Sequence, residues 1–142
     1  MKTLLSTVLF IILMSCSSSI SGTYTITDYY IESSKLGTPQ EIESATNDDR
    51  NDCLGTKLNL TEYDDCVMLS VAEGKTSIAK EIANIAMKKI GNVSYQVENN
   101  GTLYSLTVSG QTVIVKEIIK NAYFFDNKPH DEITLVFKLR KD

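Results

Sequence analysis

Residues 133–140 read Ile-Thr-Leu-Val-Phe-Lys-Leu-Arg, which puts Ile133, Leu135, Phe137 and Leu139 on one face of an extended chain and Thr134, Val136, Lys138 and Arg140 on the other. Alternation with a period of two is the signature of a half-buried β-strand, not of a helix. Upstream stand four more strand-like runs, Val93–Val97, Leu103–Val108, Thr112–Ile119 and Ala122–Phe125, separated by Asn99-Asn100-Gly101, Ser109-Gly110, Lys120-Asn121 and residues 126–131. These separators are turn-forming and short, so consecutive strands should be antiparallel neighbours. Thr56–Leu60 and Asp65–Val71 flank Thr61–Asp64 as a further hairpin. Thr23–Ile31 is β-branched and aromatic, with Tyr24 and Ile26 on one face.

Eight such strands favour a mainly β, up-and-down barrel, because closure removes the edges that an open sheet would expose. Residues 32–51 are rich in Ser, Lys, Gly, Gln, Glu, Asn and Asp and read as a long loop. Between Lys75 and Ile90, Ile78, Ile82, Ile85 and Ala86, with Met87 beside them, recur at helical spacing before Gly91, so one helix is expected over residues 75–90. An α+β arrangement, an open antiparallel sheet packed on that helix, is the alternative.

The N-terminus has a different character. Lys2 precedes an apolar run from Leu4 to Met14 that is too short to span a bilayer, which takes about 20 residues, and that has the layout of an export signal. Its end, Leu13-Met14-Ser15-Cys16, resembles the lipobox of bacterial lipoproteins, with Met14 an unusual residue at its position. The resemblance implies cleavage after residue 15, acylation of Cys16 by palmitate-type chains, and a tether over residues 16–21 ahead of a single domain at 22–142. A plain secretory signal is the alternative. Each buried methylene contributes about 0.8 kcal/mol, so two or three acyl chains hold a protein on a membrane durably. Ser17, not aspartate, follows the cysteine, and no acidic residues stand close behind it. Both features point to the outer membrane and its periplasmic side.

The whole chain carries a formal charge of −4, and loss of Lys2 with the signal leaves −5. An acidic domain is a poor partner for nucleic acid. Of three cysteines, assigning Cys16 to lipid leaves the pair Cys53 and Cys66. In an oxidising compartment an even pair suggests a disulfide, worth about 3 kcal/mol on the loop-entropy model. A redox pair or half of a metal site are weaker readings, since Cys-x-x-Cys spacing is absent and His130 is the single histidine.

The lipobox, Gly22-Thr23-Tyr24, the two cysteines and the run Gly101-Thr-Leu-Tyr-Ser-Leu-Thr-Val together resemble the bacterial lipocalin-like lipoproteins. The chain departs from them in having Tyr24 where tryptophan is usual, and in the helix expected between strands. The resemblance implies a barrel closed at one end by Tyr24 with Arg140 lying across it. Tyr24, Tyr95, Tyr104, Phe124 and Phe137 are then the aromatic candidates for a ligand cavity, with core packing as their default role.

Catalysis has no local support. Glu73-Gly74-Lys75-Thr76 lacks the first glycine of a phosphate-binding loop, since Leu69 occupies that place, and His130 follows Pro129 in a turn-like stretch. No hydroxyl sits in a Gly-x-Ser-x-Gly elbow. The expected function is therefore non-enzymatic and without cofactor or metal: a membrane-anchored binding module for a small apolar or amphipathic ligand. A structural or accessory envelope lipoprotein acting through protein contacts is the alternative.

Overall fold

The computed structural model describes residues 19–33, 39–74, 78–123 and 129–142. Residues 1–15, expected to be an export signal, and Cys16, Lys75, Thr76 and Phe124 lie outside these residues. The described chain forms β1 (Gly22–Ser33), a helix α1 (Pro39–Cys53), β2 (Lys57–Glu62), β3 (Cys66–Glu73), a 3-10 turn (Ala79–Ile82), β4 (Ala86–Lys89), β5 (Ser94–Asn99), β6 (Thr102–Ser109), β7 (Thr112–Tyr123) and β8 (Pro129–Lys141). The strands close into an antiparallel barrel in sequence order, with β8 paired back onto β1.

The last strand buries Ile133, Leu135, Phe137 and Leu139 as its sequence predicts, but Thr134 and Val136 of the opposite face are buried as well, so the two faces differ in exposure only at Lys138 and Arg140. It pairs with β7 from Tyr123↔Pro129 to Thr112↔Arg140 and with β1 from Ser33↔Ile133 to Tyr24↔Lys141. A bulge between Ile26 and Asp28 inserts one extra residue into β1. The inward series on β1 is therefore Tyr24, Ile26, Tyr29 and Ile31, a change of parity that keeps both ends of a long, strongly bent strand facing the core. Large apolar side chains fill the interior, while the outer face mixes polar Thr23, Asn59 and Thr61 with half-buried Leu103, Ile114 and Ile118.

The single helix is not over 75–90 but over Pro39–Cys53, in the stretch expected to be loop. Residues 79–82 make only a 3-10 turn that buries Ala79 and Ile82, and Asn84 then adopts a left-handed φ of 61°. Ala86–Lys89 becomes β4, joined to β3 by Val67↔Met87 and to β5 by Lys88↔Gln96. A short run of apolar residues fits either period, and here the tertiary demand for a strand bridging β3 and β5 overrides helical spacing. Residues 112–119 and 122–125, expected as separate strands, are joined through Asn121, φ 52°, into β7, which ends at Tyr123 within the described chain. The strand count stays at eight because β4 replaces the strand lost by this merger.

The helix fills a gap that the strands leave. β2 pairs with only Gly22–Thr25 of β1, so β1 beyond the bulge has no strand on that side. There α1 packs against β1, anchored by buried Cys53 and by an Arg50–Asp28 ion pair of 3.0 Å. Gly55, φ 82°, then turns the chain so that its N–H donates to Ile26 O at 2.9 Å.

The expected Cys53–Cys66 disulfide is not formed; both are free thiols, Cys53 buried and Cys66 partly so. Their places in the barrel explain it. Cys53 closes α1 just before β2, while Cys66 lies past the far end of β2, where the Tyr63 N–H donates to Cys66 O. A six-residue strand separates them, about 20 Å at 3.3 Å per residue. Bridged Cα atoms must lie within about 7 Å.

Candidate functional site

The inward residues stack in rows around the barrel. One middle row runs Tyr95–Leu106–Val115–Phe137–Tyr29 and the next toward the open end runs Val97–Tyr104–Glu117–Leu135–Ile31. Glu117 is the charged member of these rows. It continues the inward series Val113 and Val115 on β7, so β-periodicity alone sends its carboxyl into the core, where it is 7% exposed.

The Tyr104 hydroxyl, on the neighbouring strand, donates to Glu117 Oε1 at 3.4 Å. Oε2 is buried and receives no donor. Burial comes first in raising the Glu117 carboxyl to about 8, and the charge of Glu81 on the 3-10 turn adds to it. Glu81, though its residue surface is largely exposed, is itself raised by partial desolvation of its carboxyl, with the charge of Asp49 adding to it and the nearby Glu117 carboxyl opposing it. Two facing carboxyls that cannot both ionise titrate as a pair and share a proton near neutrality.

A second acid–phenol pair stands beside the first. Tyr29, 1% exposed, packs on Phe137 with ring centroids 5.0 Å apart, and its hydroxyl donates to Asp49 Oδ2 of α1 at 3.3 Å. Burial, then the charges of Asp49 and Glu81, hold the Tyr29 phenol protonated far above its ordinary range. Desolvation raises Asp49 despite that hydrogen bond. Burial and Asp49 likewise push the Cys53 thiol up to about 11, which leaves it a poor nucleophile. Three carboxyls and two phenols thus meet where α1 and the 3-10 turn lean over the barrel mouth. Ile78, Ile85 and Val97 are half-buried and pack against the core. Among the described residues, no three His, Cys, Asp or Glu side chains are placed to hold a metal ion.

No family model, curated protein or solved structure matches this chain.

The described aromatic candidates, Tyr24, Tyr95, Tyr104 and Phe137, lie at different levels of the barrel. Tyr104 belongs to the mouth, whereas Tyr95 and Phe137 lie in the filled middle row at 3% and 0% exposure. Tyr24 is at the opposite end, where its hydroxyl donates to Ile20 O at 2.8 Å. The cation over the Tyr24 ring is Lys141, with Nζ 6.0 Å from the centroid, and not Arg140. The register decides this: Tyr24 pairs with Lys141, while Arg140 stands opposite Thr25 with its side chain exposed. Glu117, Glu81 and Asp49 were missed in the sequence. One signal pointed to Glu117, a lone acid on the alternating face of Val113 and Val115. None pointed to Glu81 or Asp49, which the turn and the helix carry in from elsewhere.

Proposed function

We propose that this chain is a lipid-anchored envelope protein whose barrel mouth binds a small amphipathic molecule with a basic head group. The observation that carries the reading is Glu117: a carboxyl buried on an otherwise apolar wall, with one oxygen lacking any donor. A desolvated carboxyl pair accepts either a shared proton or a cation in its place. A ligand ammonium would occupy that position, with its apolar part against Ile78, Ile85 and Val97. The interior below is filled, since Leu58, Val67, Leu69, Met87, Leu106 and Val115 have no surface that a water molecule could touch even from inside. Recognition is therefore assigned to the mouth and not to a deep cavity.

Calorimetric titration with an alkylamine and the alcohol of equal chain length tests this. The amine should bind at least tenfold more tightly, should tighten as pH rises from 6 to 8, and should lose its advantage in Glu117→Gln. Equal binding of both probes, or of neither, overturns the reading. The filled interior also favours a second one, an accessory lipoprotein working through protein contacts, and absence of any probe binding would leave that one standing. Anchoring has its own test: Cys16→Ala should release the protein from membranes and abolish fatty-acid incorporation.

A further inference from the structure

We infer that the barrel end opposite the mouth is a membrane-docking face, laid against the lipid head groups so that the mouth points away from the bilayer. The inference rests on the reading of Cys16 as the acylated residue.

The described large apolar side chains that are exposed are Leu54, Tyr63, Ile90 and Val93, at 39%, 52%, 63% and 49%. Leu54 follows α1. The other three sit on two adjacent turns, Tyr63 between β2 and β3 and Ile90 with Val93 between β4 and β5. The Lys89 N–H donates to Asp65 O at 2.7 Å, which ties these turns together. Burial would be the ordinary fate of Ile90 and Val93, so two such side chains on one exposed turn beside a tyrosine call for a partner.

The tether emerges at this same end. The Ser21 hydroxyl accepts from the Glu62 N–H at 2.9 Å, next to Tyr63, and the Lys141 ammonium reaches Ser19 O at 3.4 Å. Cys16 precedes Ser19 by three residues, which span at most about 10 Å. An acyl chain on Cys16 therefore keeps this end within a head-group layer's thickness of the membrane. A lipid surface is the partner that the tether itself supplies. Tyrosine and branched apolar tips suit the interfacial zone. Charge does not choose the face, because Lys88, Lys89 and Lys141 are offset by Glu62, Asp64 and Asp65, and Asp142 pairs with Lys57 at 2.8 Å. Docking should therefore not require anionic lipid.

The chain has no tryptophan, so single reporters can be placed cleanly. Ile90→Trp marks the docking end, and Glu98→Trp, exposed near the β5–β6 turn, marks the mouth end. The processed full-chain protein is reconstituted in phosphatidylcholine vesicles containing brominated lipid. Emission from Ile90→Trp should shift to shorter wavelength and be quenched several-fold more than that from Glu98→Trp. Equal quenching of both, or stronger quenching at position 98, overturns the docking face. A second variant, Val93→Glu in the Ile90→Trp background, should weaken the quenching while the protein still melts cooperatively; unchanged quenching also overturns it. Mass spectrometry of the N-terminus reports acylation separately. If Cys16 is bare, the anchoring reading fails alone, and an N-terminal hexahistidine on nickel-chelating lipid decides docking by the same comparison.

Discussion

Glu117 stays protonated at pH values where a carboxyl in water would ionise, because its charge would sit in the apolar wall opposite Glu81. The folded pKa lies above the unfolded one, so between about 4.5 and 8 the native chain binds more protons than the unfolded chain. Stability contributed here is full below that window and falls as pH rises through it. Glu117→Gln should flatten the decline and raise stability at pH 8 by about 1–3 kcal/mol, since each tenfold change in proton affinity on folding is worth about 1.4 kcal/mol. Thermal melts of both proteins from pH 5 to 8 check this; parallel curves would show that the buried acid does not govern the pH dependence. The cysteines give a second residue-scale expectation. Cys66 should react with a thiol reagent in the native protein, Cys53 only after unfolding, and reductant should leave the melting temperature unchanged. An intact mass lower by two hydrogens would contradict the placement of these thiols.

Among the elements, β4 and α1 stand out because the chain uses them against their local signals. On β4, Met87 points inward at 0% exposure while its neighbours Ala86 and Lys88 are exposed. Met87→Ala should cost about 2–4 kcal/mol, the usual range for a buried side chain truncated in a core. Ala86→Thr should be neutral or slightly stabilising, since β-branching suits an outward strand position. Denaturant unfolding of the two variants separates strand from helix, for a helix would penalise the threonine. The polar helix α1 has few apolar residues to announce it. Its signature is a start signal instead: Thr38-Pro39-Gln40-Glu41 has the Ser/Thr-x-x-Glu pattern with proline at the first helical position. Arg50 in the last turn completes the expected charge order.

For the whole molecule, closure is the event on which the rest depends. The β1–β8 seam joins residues a hundred or more apart in sequence, from Tyr24↔Lys141 to Ser33↔Ile133. Its contacts are the most distant in sequence in the barrel, and without it β1 and β8 would present open edges. Deleting residues 137–142 removes the partner of Tyr24–Tyr29 and should abolish cooperative unfolding and promote aggregation. A truncated chain that still melts sharply at the native temperature would show that the seam carries no stability.

The period-two pattern in residues 133–140, the tight turns and the run of strand-forming segments were enough to specify an eight-stranded barrel, because alternation and turn chemistry are local properties. The inward places of Tyr24, Tyr95 and Phe137 follow from the same local rule. Which segment bridges β3 and β5 was not local: Ile78, Ile82 and Ile85 satisfy a helical period, and only the gap in the closing sheet makes Ala86–Lys89 a strand. The disulfide expectation failed for the same reason, since counting cysteines says nothing of the strand length that holds Cys53 and Cys66 apart. The site is the furthest from the sequence. Glu117, Glu81 and Asp49 come from a strand, a turn and a helix, and their raised protonation exists only because the fold buries Glu117 and brings the other two carboxyls, half-buried Asp49 and more exposed Glu81, close by.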